Sequence, residues 1–442
     1  MVFGATRSLD DSRTPLYRAP QVPLEVENYP IAPNGLVLEQ LHVYVRHGER
    51  TPVGVRLANV PALIPEHWLL CKAARQFHAM ACGQKEMVER TDGKAAEGEC
   101  LLGELTDLGR QSTYNFGKSL RALYVDKLGF LPDRLLSTDQ VYLRSTNMPR
   151  TITSLHQIVH GLYPQEKRDN KVLPNILVRN GKDENLLGNT SACKRLELLQ
   201  VSFAHAAAAA YNPSLQQLDS RLSKYMNGSP VRVDGKPRAS GIMDTIRAAI
   251  AHGINVPPEF KDKAIVDTLE KAIVNEWYAG YKTEEVRRLG MGRLLDDLSR
   301  KMQHKANNGA QDPLKVLIHS THDTALAALC STLDVFDEQW PAFTASITFE
   351  LFKKAAVTPQ RAADASFSQI VLSNFKSRPV PEFYIRMRYQ NKNMILPACA
   401  EKGKHLPGSP EFCTLAAFGE RVKELTPTDF ESECTPAGRF GI

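Results

Sequence analysis

The sequence predicts a three-layer α/β/α sandwich: a mostly parallel central sheet, helices on both faces, and a smaller helical domain inserted between sheet strands. Three observations lead there. Short apolar runs at 38–45, 140–144 and 314–319 each stop at a polar turn, with helical patterns following. The stretch from about 180 to 310 is helical in texture. Hydrophobic residues make up 43% of the 442 and charged residues 24%, ordinary globular usage that excludes disordered, collagenous and coiled-coil chains.

The first 35 residues, rich in Pro and polar side chains, read as a surface arm before a main domain at 36–442. Within Leu38 to Val45, Leu41, Val43 and Val45 alternate as in a strand, which ends at once in Arg46-His47-Gly48. Residues 53–104 mix Pro, Gly, Cys and charge without a clean period and read as an insertion of short helices and loops. Thr106 is a plausible N-cap for a helix whose apolar positions are Leu108, Phe116, Leu120, Leu123 and Tyr124. A second strand, Gln140 to Arg144, runs into Ser145-Thr146, expected to cap a helix striped by Ile152, Leu155, Val159 and Leu162 and ended by Gly161 and Pro164. In the helical cap at 180–310, Ala206 to Ala210 precede Ile265, Leu269, Ile273 and Trp277 at fourfold spacing. A third strand, Leu314 to His319, leads through Ser320-Thr321-His322-Asp323 into an Ala/Leu helix, and Ser346 to Phe352 and Phe383 to Tyr389 read as further strands.

Fifty-five Lys plus Arg against 49 Asp plus Glu leave +6, which suits an anionic ligand but gives no sign of nucleic-acid binding. No run approaches the ~20 apolar residues of a transmembrane segment. Arg7, Arg13 and Arg18 hint at a transit peptide, Asp10 and Asp11 argue against one, and there is no apolar core of a secretory signal. Eight cysteines, three of them (Cys399, Cys413, Cys434) near the end of the chain, fit either paired loops or separate thiols. Cys71, His78 and Cys82 match no recurrent zinc spacing, and His156 and His160 lack the glutamate of a zinc-protease motif. Asn189 and Asn227 head sequons that matter only in a secretory route.

The sharpest chemical signal is Arg46-His47-Gly48-Glu49-Arg50-Thr51-Pro52. Two guanidiniums suit planar, bidentate recognition of phosphate oxygens and cannot lose their charge. An imidazole between them, kept neutral by that charge, has a lone pair that can attack phosphorus and split one displacement into two easier ones. Glu49 is expected to orient an arginine.

RHGERTP resembles the signature of the histidine acid phosphatases, the branch of the histidine phosphatase superfamily that also holds phytases. His322-Asp323 in IHSTHDTALAAL and Arg144 in VYLRSTNMPRT are similar to the family's later elements. Within the family, GELTDLGRQ, VYLRSTNMPRTITSL and LDVFDEQWPAFTASITFELF look like the lysophosphatidic acid phosphatases. The resemblance implies a phosphoglycerate-mutase-like fold and a phosphomonoester hydrolase, with lysophosphatidate a candidate substrate. It implies His47 as nucleophile, Arg46, Arg50, Arg144 and His322 on the phosphoryl oxygens, and Asp323 protonating the leaving oxygen. No metal or cofactor is required, since cationic and donor groups can offset the phosphate charge. Asp244 and His252, in MDTIRAAIAHGINVP, resemble a segment near the substrate mouth. The resemblance also tilts towards a mitochondrial or other organellar address, with secretion still open. Rival readings are a phytase-like enzyme, against which Thr51 stands where phytases commonly place tyrosine, a mutase-like phosphotransferase, and a silent phosphate binder.

Overall fold

Strands buried on both sides sit where the sheet is covered by helices. In the computed structural model, which describes residues 22–59, 62–169, 171–355 and 382–436, four parallel strands make one half of a nine-stranded sheet. They are β1 (Leu36–Arg46), β2 (Val141–Ser145), β3 (Ile176–Val178) and β4 (Val316–Thr321), in the order β3-β2-β4-β1. Every residue of β4 is buried. Beyond β1 the sheet continues antiparallel through β5 (Ser346–Lys354), β6 (Phe383–Tyr389) and β9 (Ser409–Thr414) to β8 (His405–Leu406), while β7 (Lys392–Asn393) pairs with β6. The two later runs expected as strands form this flank.

Alternation along β1 divides its side chains between two cores: Leu41, Val43 and Val45 face one way and Tyr44 the other. On the first face lie α2 (Asp107–Arg121) and α3 (Pro149–Leu162), with Phe116, Leu120, Leu155 and Ile158. Thr106 does cap α2, accepting from the Gly109 amide, whereas Leu108 is exposed. Gly161 lies within α3 rather than ending it. A Cβ there would stand 2.2 Å from the Tyr114 carbonyl oxygen, so its role is to let α2 and α3 touch. Nor does Ser145-Thr146 cap α3: Met148 holds that position, ahead of Pro149, and Thr146 bonds Thr151 instead.

The second face is covered by α9 (Arg293–Asn308), α10 (Asp323–Thr332) and α11 (Leu415–Leu425). The helical stretch at 180–310 therefore divides. Parts of α4 (Lys194–Gln216), α5 (Asp219–Leu222), α6 (Ala239–Ala251) and α7 (Lys263–Tyr278) share a separate core with Leu57, Ile64 and Trp68 from the 53–104 insertion. Leu294, Leu295 and Leu298 of α9 belong to the sheet core. Ile265, Leu269 and Ile273 are buried as their spacing predicts, but Trp277 is 45% exposed.

Residues 1–21, with Arg7, Arg13, Arg18, Asp10 and Asp11, lie outside the described residues. What is described of the arm is not merely laid on the surface: Leu24 and Tyr29 are buried. The Tyr29 and Tyr124 hydroxyls donate to Glu350 Oε1 at 2.7 and 2.8 Å, and Arg386 Nε donates to Oε2 at 2.7 Å. Glu350→Ala would leave the Arg386 guanidinium buried without its carboxylate, an expected loss of about 3–5 kcal/mol in chemical denaturation. A loss below about 1 kcal/mol would show that the cluster does not hold the arm.

Three disulfides join Cys71 to Cys100, Cys193 to Cys434 and Cys399 to Cys413, favouring the paired reading of the cysteines and an oxidising compartment. Cys71 is thereby unavailable to a metal. Of the two sequons, Asn189 is buried with its amide donating to the carbonyls of Gly181 and Glu184, while Asn227 is exposed. No helix among the described residues is long and apolar enough to cross a membrane.

Candidate active site

Strands β1, β2 and β4 end together, Arg46 level with Thr321 and Ser145 with Ser320, so the turns that follow them converge at one edge of the sheet. The loop after β1 lies directly on the first turn of α2. A Cβ on Gly48 would meet the Gly109 carbonyl oxygen at 2.3 Å, and one on Gly109 would meet that of Glu49 at 2.1 Å. Two glycines thus permit a backbone contact that no side chain could share. The Gly48 amide also donates to Ser154 Oγ of α3 at 3.1 Å.

His47 is 1% exposed. Its Nδ1 lies 2.8 Å from the Gly48 carbonyl oxygen, which can only accept, so Nδ1 carries the proton and Nε2 keeps its lone pair. Burial first, then the charges of Arg46 and Arg50, hold its pKa well below the usual imidazole value. The His322 ring stands edge-on at 5.6 Å, fixed by a 3.0 Å hydrogen bond between Nε2 and Thr146 Oγ1. Burial, aided by Arg150, lowers its pKa to about 4.

The arginines are held by groups that leave donors unspent. Arg46 donates to the Pro341 carbonyl at 2.6 Å, pairs with Asp323 Oδ2 at 2.7 Å and packs 4.1 Å over the Phe343 ring. Arg50 donates to Asp244 Oδ1 at 2.8 Å and to the Thr51 carbonyl at 2.9 Å. The Nε donors of Arg46, Arg50 and Arg150 have no hydrogen-bond partner among the described residues. Asp323 begins α10, and its Oδ2 also accepts from Trp340 Nε1 at 2.9 Å. Burial alone would raise its pKa, but Arg46, Arg50 and the indole outweigh burial and bring it down to about 2.

Arg46, His47, Arg50, His322 and Asp323 line one cavity of about 660 Å³, and Arg144 does not. On β2, Leu143 enters the α2–α3 core, so strand alternation turns Arg144 to the opposite face. There it donates to Glu184 Oε1 and, at 2.7 Å, to Asn185 Oδ1. Its expected place on the phosphate is corrected accordingly. Arg150, the second residue of α3, lines the cavity in its stead, with its pKa lowered to about 10 by burial and by Arg50. The signal was present in the same segment, six residues on, beside the proline that starts the helix.

Arg150→Ala should lower kcat/KM about 10²-fold or more with little change in thermal stability. Arg144→Ala should reverse the pattern, leaving Glu184 buried without its cation. Equal kinetic losses would return Arg144 to the site.

Glu49 is not bonded to an arginine either: it points towards α2, where the Ser112 hydroxyl donates to its Oε2. Asp244 lines the cavity and holds Arg50, while His252 stands behind the loop, its ring nitrogens 2.8 Å from the Ala248 carbonyl and from Thr106 Oγ1. His156 and His160 border a separate hollow of about 290 Å³. No group of three or more His, Cys, Asp or Glu among the described residues is placed to hold a metal ion.

Comparison with known proteins places the chain in a family. A sequence profile described as histidine phosphatase superfamily (branch 2) matches residues 37–390. A "Probable acid phosphatase" of Schizosaccharomyces pombe is 36% identical over 444 residues, covering 91% of this chain and 95% of the relative. A protein named lysophosphatidic acid phosphatase type 6, from Bos taurus, is 21% identical over 93% of this chain and 90% of its own length. Among solved structures, the apo phytase of Hafnia alvei superposes with a TM-score of 0.57 at 15% identity, covering 92% of this chain and all of that one, a likeness of fold alone. With its strand-end loop, its profile match over most of its length and a relative at more than a third identity, this chain belongs to branch 2 of the histidine phosphatase superfamily.

Proposed function

We propose that this chain hydrolyses phosphomonoesters through a phosphohistidine on His47. The supporting observation is the protonated Nδ1, which leaves Nε2 free within a cavity of arginines with Asp323 beside it. Phosphomonoester hydrolysis is the chemistry of this branch, and the residue roles below are our assignment. The ester phosphate binds to Arg46, Arg50, Arg150 and His322. His47 Nε2 attacks phosphorus as the ester P–O bond breaks, and the leaving oxygen takes a proton delivered through Asp323. Water then attacks the phosphohistidine, gives its proton to the carboxylate and releases inorganic phosphate and neutral His47.

With its pKa near 2, Asp323 is a carboxylate before substrate binds, so the proton must arrive from elsewhere. A phosphomonoester monoanion carries one, with a second pKa of about 6. Activity on alkyl esters is therefore expected to fall as pH rises through about 6. His47, held well below its usual pKa, stays neutral on the acid side and imposes no loss just below that range. A rate profile still rising above pH 8 would contradict this proton route.

We take lysophosphatidate as the substrate to test first, on the likeness to relatives bearing that name. One observation favours the inositol-phosphate alternative: Arg56, Lys236 and Arg238 also line the cavity. Comparison of kcat/KM for lysophosphatidate and phytate decides, and a preference for phytate overturns the lipid reading.

A further inference from the structure

The 53–104 insertion exposes apolar side chains in a way the rest of the chain does not. Of 21 large hydrophobic residues that stand exposed among the described residues, nine fall between 53 and 102, roughly an eighth of that length. They include Val55, Leu69, Phe77, Met80, Leu101 and Leu102, with Met80 84% and Phe77 69% exposed. Such concentration marks an interaction surface rather than the scatter normal to soluble proteins.

Its position is tied to the cavity mouth. Val53 lines the cavity, and the Gly103 amide donates to the Pro52 carbonyl at 2.9 Å, which runs Leu101 and Leu102 alongside the rim. Helix α1 (Lys72–Cys82), which carries Phe77 and Met80, is joined to the same segment by the Cys71–Cys100 disulfide. Across the mouth stand Lys236 and Arg238, both exposed, with Arg56 beside them. The insertion itself carries as many acids as bases between 53 and 102, six of each with Arg56 among the bases, so its net charge neither attracts nor repels an anionic surface, and the excess comes from Lys236 and Arg238. The rim supplies the attraction.

We propose that this face docks on an anionic lipid bilayer, the apolar side chains entering the interface and Arg56, Lys236 and Arg238 meeting lipid phosphates. The active-site mouth then opens at the membrane surface, where a lipid phosphomonoester is presented headgroup first. The inference deepens the lipid-substrate reading, and the test keeps the two apart by using vesicles that contain no substrate.

Flotation of the full chain with vesicles of phosphatidylglycerol and phosphatidylcholine should recover it with lipid at low salt. Pure phosphatidylcholine vesicles should bind at least about 10-fold less, and added salt should weaken the anionic binding. Phe77→Asp/Met80→Asp and, separately, Val55→Asp/Leu102→Asp should each cut the bound fraction about 10-fold, with hydrolysis of water-soluble p-nitrophenyl phosphate unchanged. Equal recovery of wild type and variants, or a wild type that self-associates through this face and ignores vesicles, would overturn the docking proposal. Poor hydrolysis of lysophosphatidate by a chain that still floats would overturn only the substrate reading.

Discussion

His47→Ala is expected to abolish turnover, lowering kcat by at least about 10⁴-fold on every phosphomonoester, because the His322 ring, tied to Thr146 through Nε2, is held to bind phosphate and not to take the phosphoryl unit. The measurement that isolates the nucleophile is quench in alkaline detergent of the enzyme mixed with a ³²P-labelled ester. Wild type should retain label at up to one phosphate per chain, stable to base and labile to acid as a phosphoramidate is, and the variant should retain none. The substitution removes a buried ring, yet the loop keeps its contacts with Gly109 and Ser154. Circular dichroism should therefore show a folded protein. Labelled His47→Ala enzyme would place the covalent chemistry on another residue.

Asp323→Asn separates proton delivery from phosphate binding. For an alkyl phosphate, whose alkoxide leaves badly, kcat/KM should fall by about 10²–10⁴-fold, the usual worth of a positioned general acid. For p-nitrophenyl phosphate, whose leaving group needs no proton, the fall should be under about 10-fold. The comparison is made in kcat/KM because that ratio covers the steps up to the first irreversible one, before water attacks the phosphohistidine. Loss of the carboxylate also unpairs Arg46, but its bond to Pro341 and its seat on Phe343 remain, so phosphate binding should survive. Equal losses on the two esters would remove Asp323 from the proton path.

The strands and the catalytic turn were readable because their signals are local. An alternating run such as Leu41-His42-Val43-Tyr44-Val45 specifies its own conformation, and Arg46-His47-Gly48 at its end specifies where chemistry can sit. The two arginines of VYLRSTNMPR show where locality stops helping. Arg144 and Arg150 are separated by one turn of chain, and choosing between them requires knowing which face of β2 is covered by α2 and α3. That depends on partners distant in sequence, as does the acceptor of Glu49, a serine 63 positions away. The direction of β5 and β6, and the division of the 180–310 helices between lobe and sheet, are likewise set by packing against elements elsewhere in the chain. The three cysteine pairs could not be chosen from spacing, since Cys193 and Cys434 stand 241 positions apart.

That long bridge bears on how the protein is made. Cys193 leaves the ribosome well before Cys434, and Cys71 must bypass Cys82 to reach Cys100. An oxidase that joins each thiol to the next one synthesised would produce wrong pairs, and native enzyme would then emerge only where an isomerase reshuffles them. Yield of active protein should accordingly depend on the host's isomerase supply more than on its oxidant.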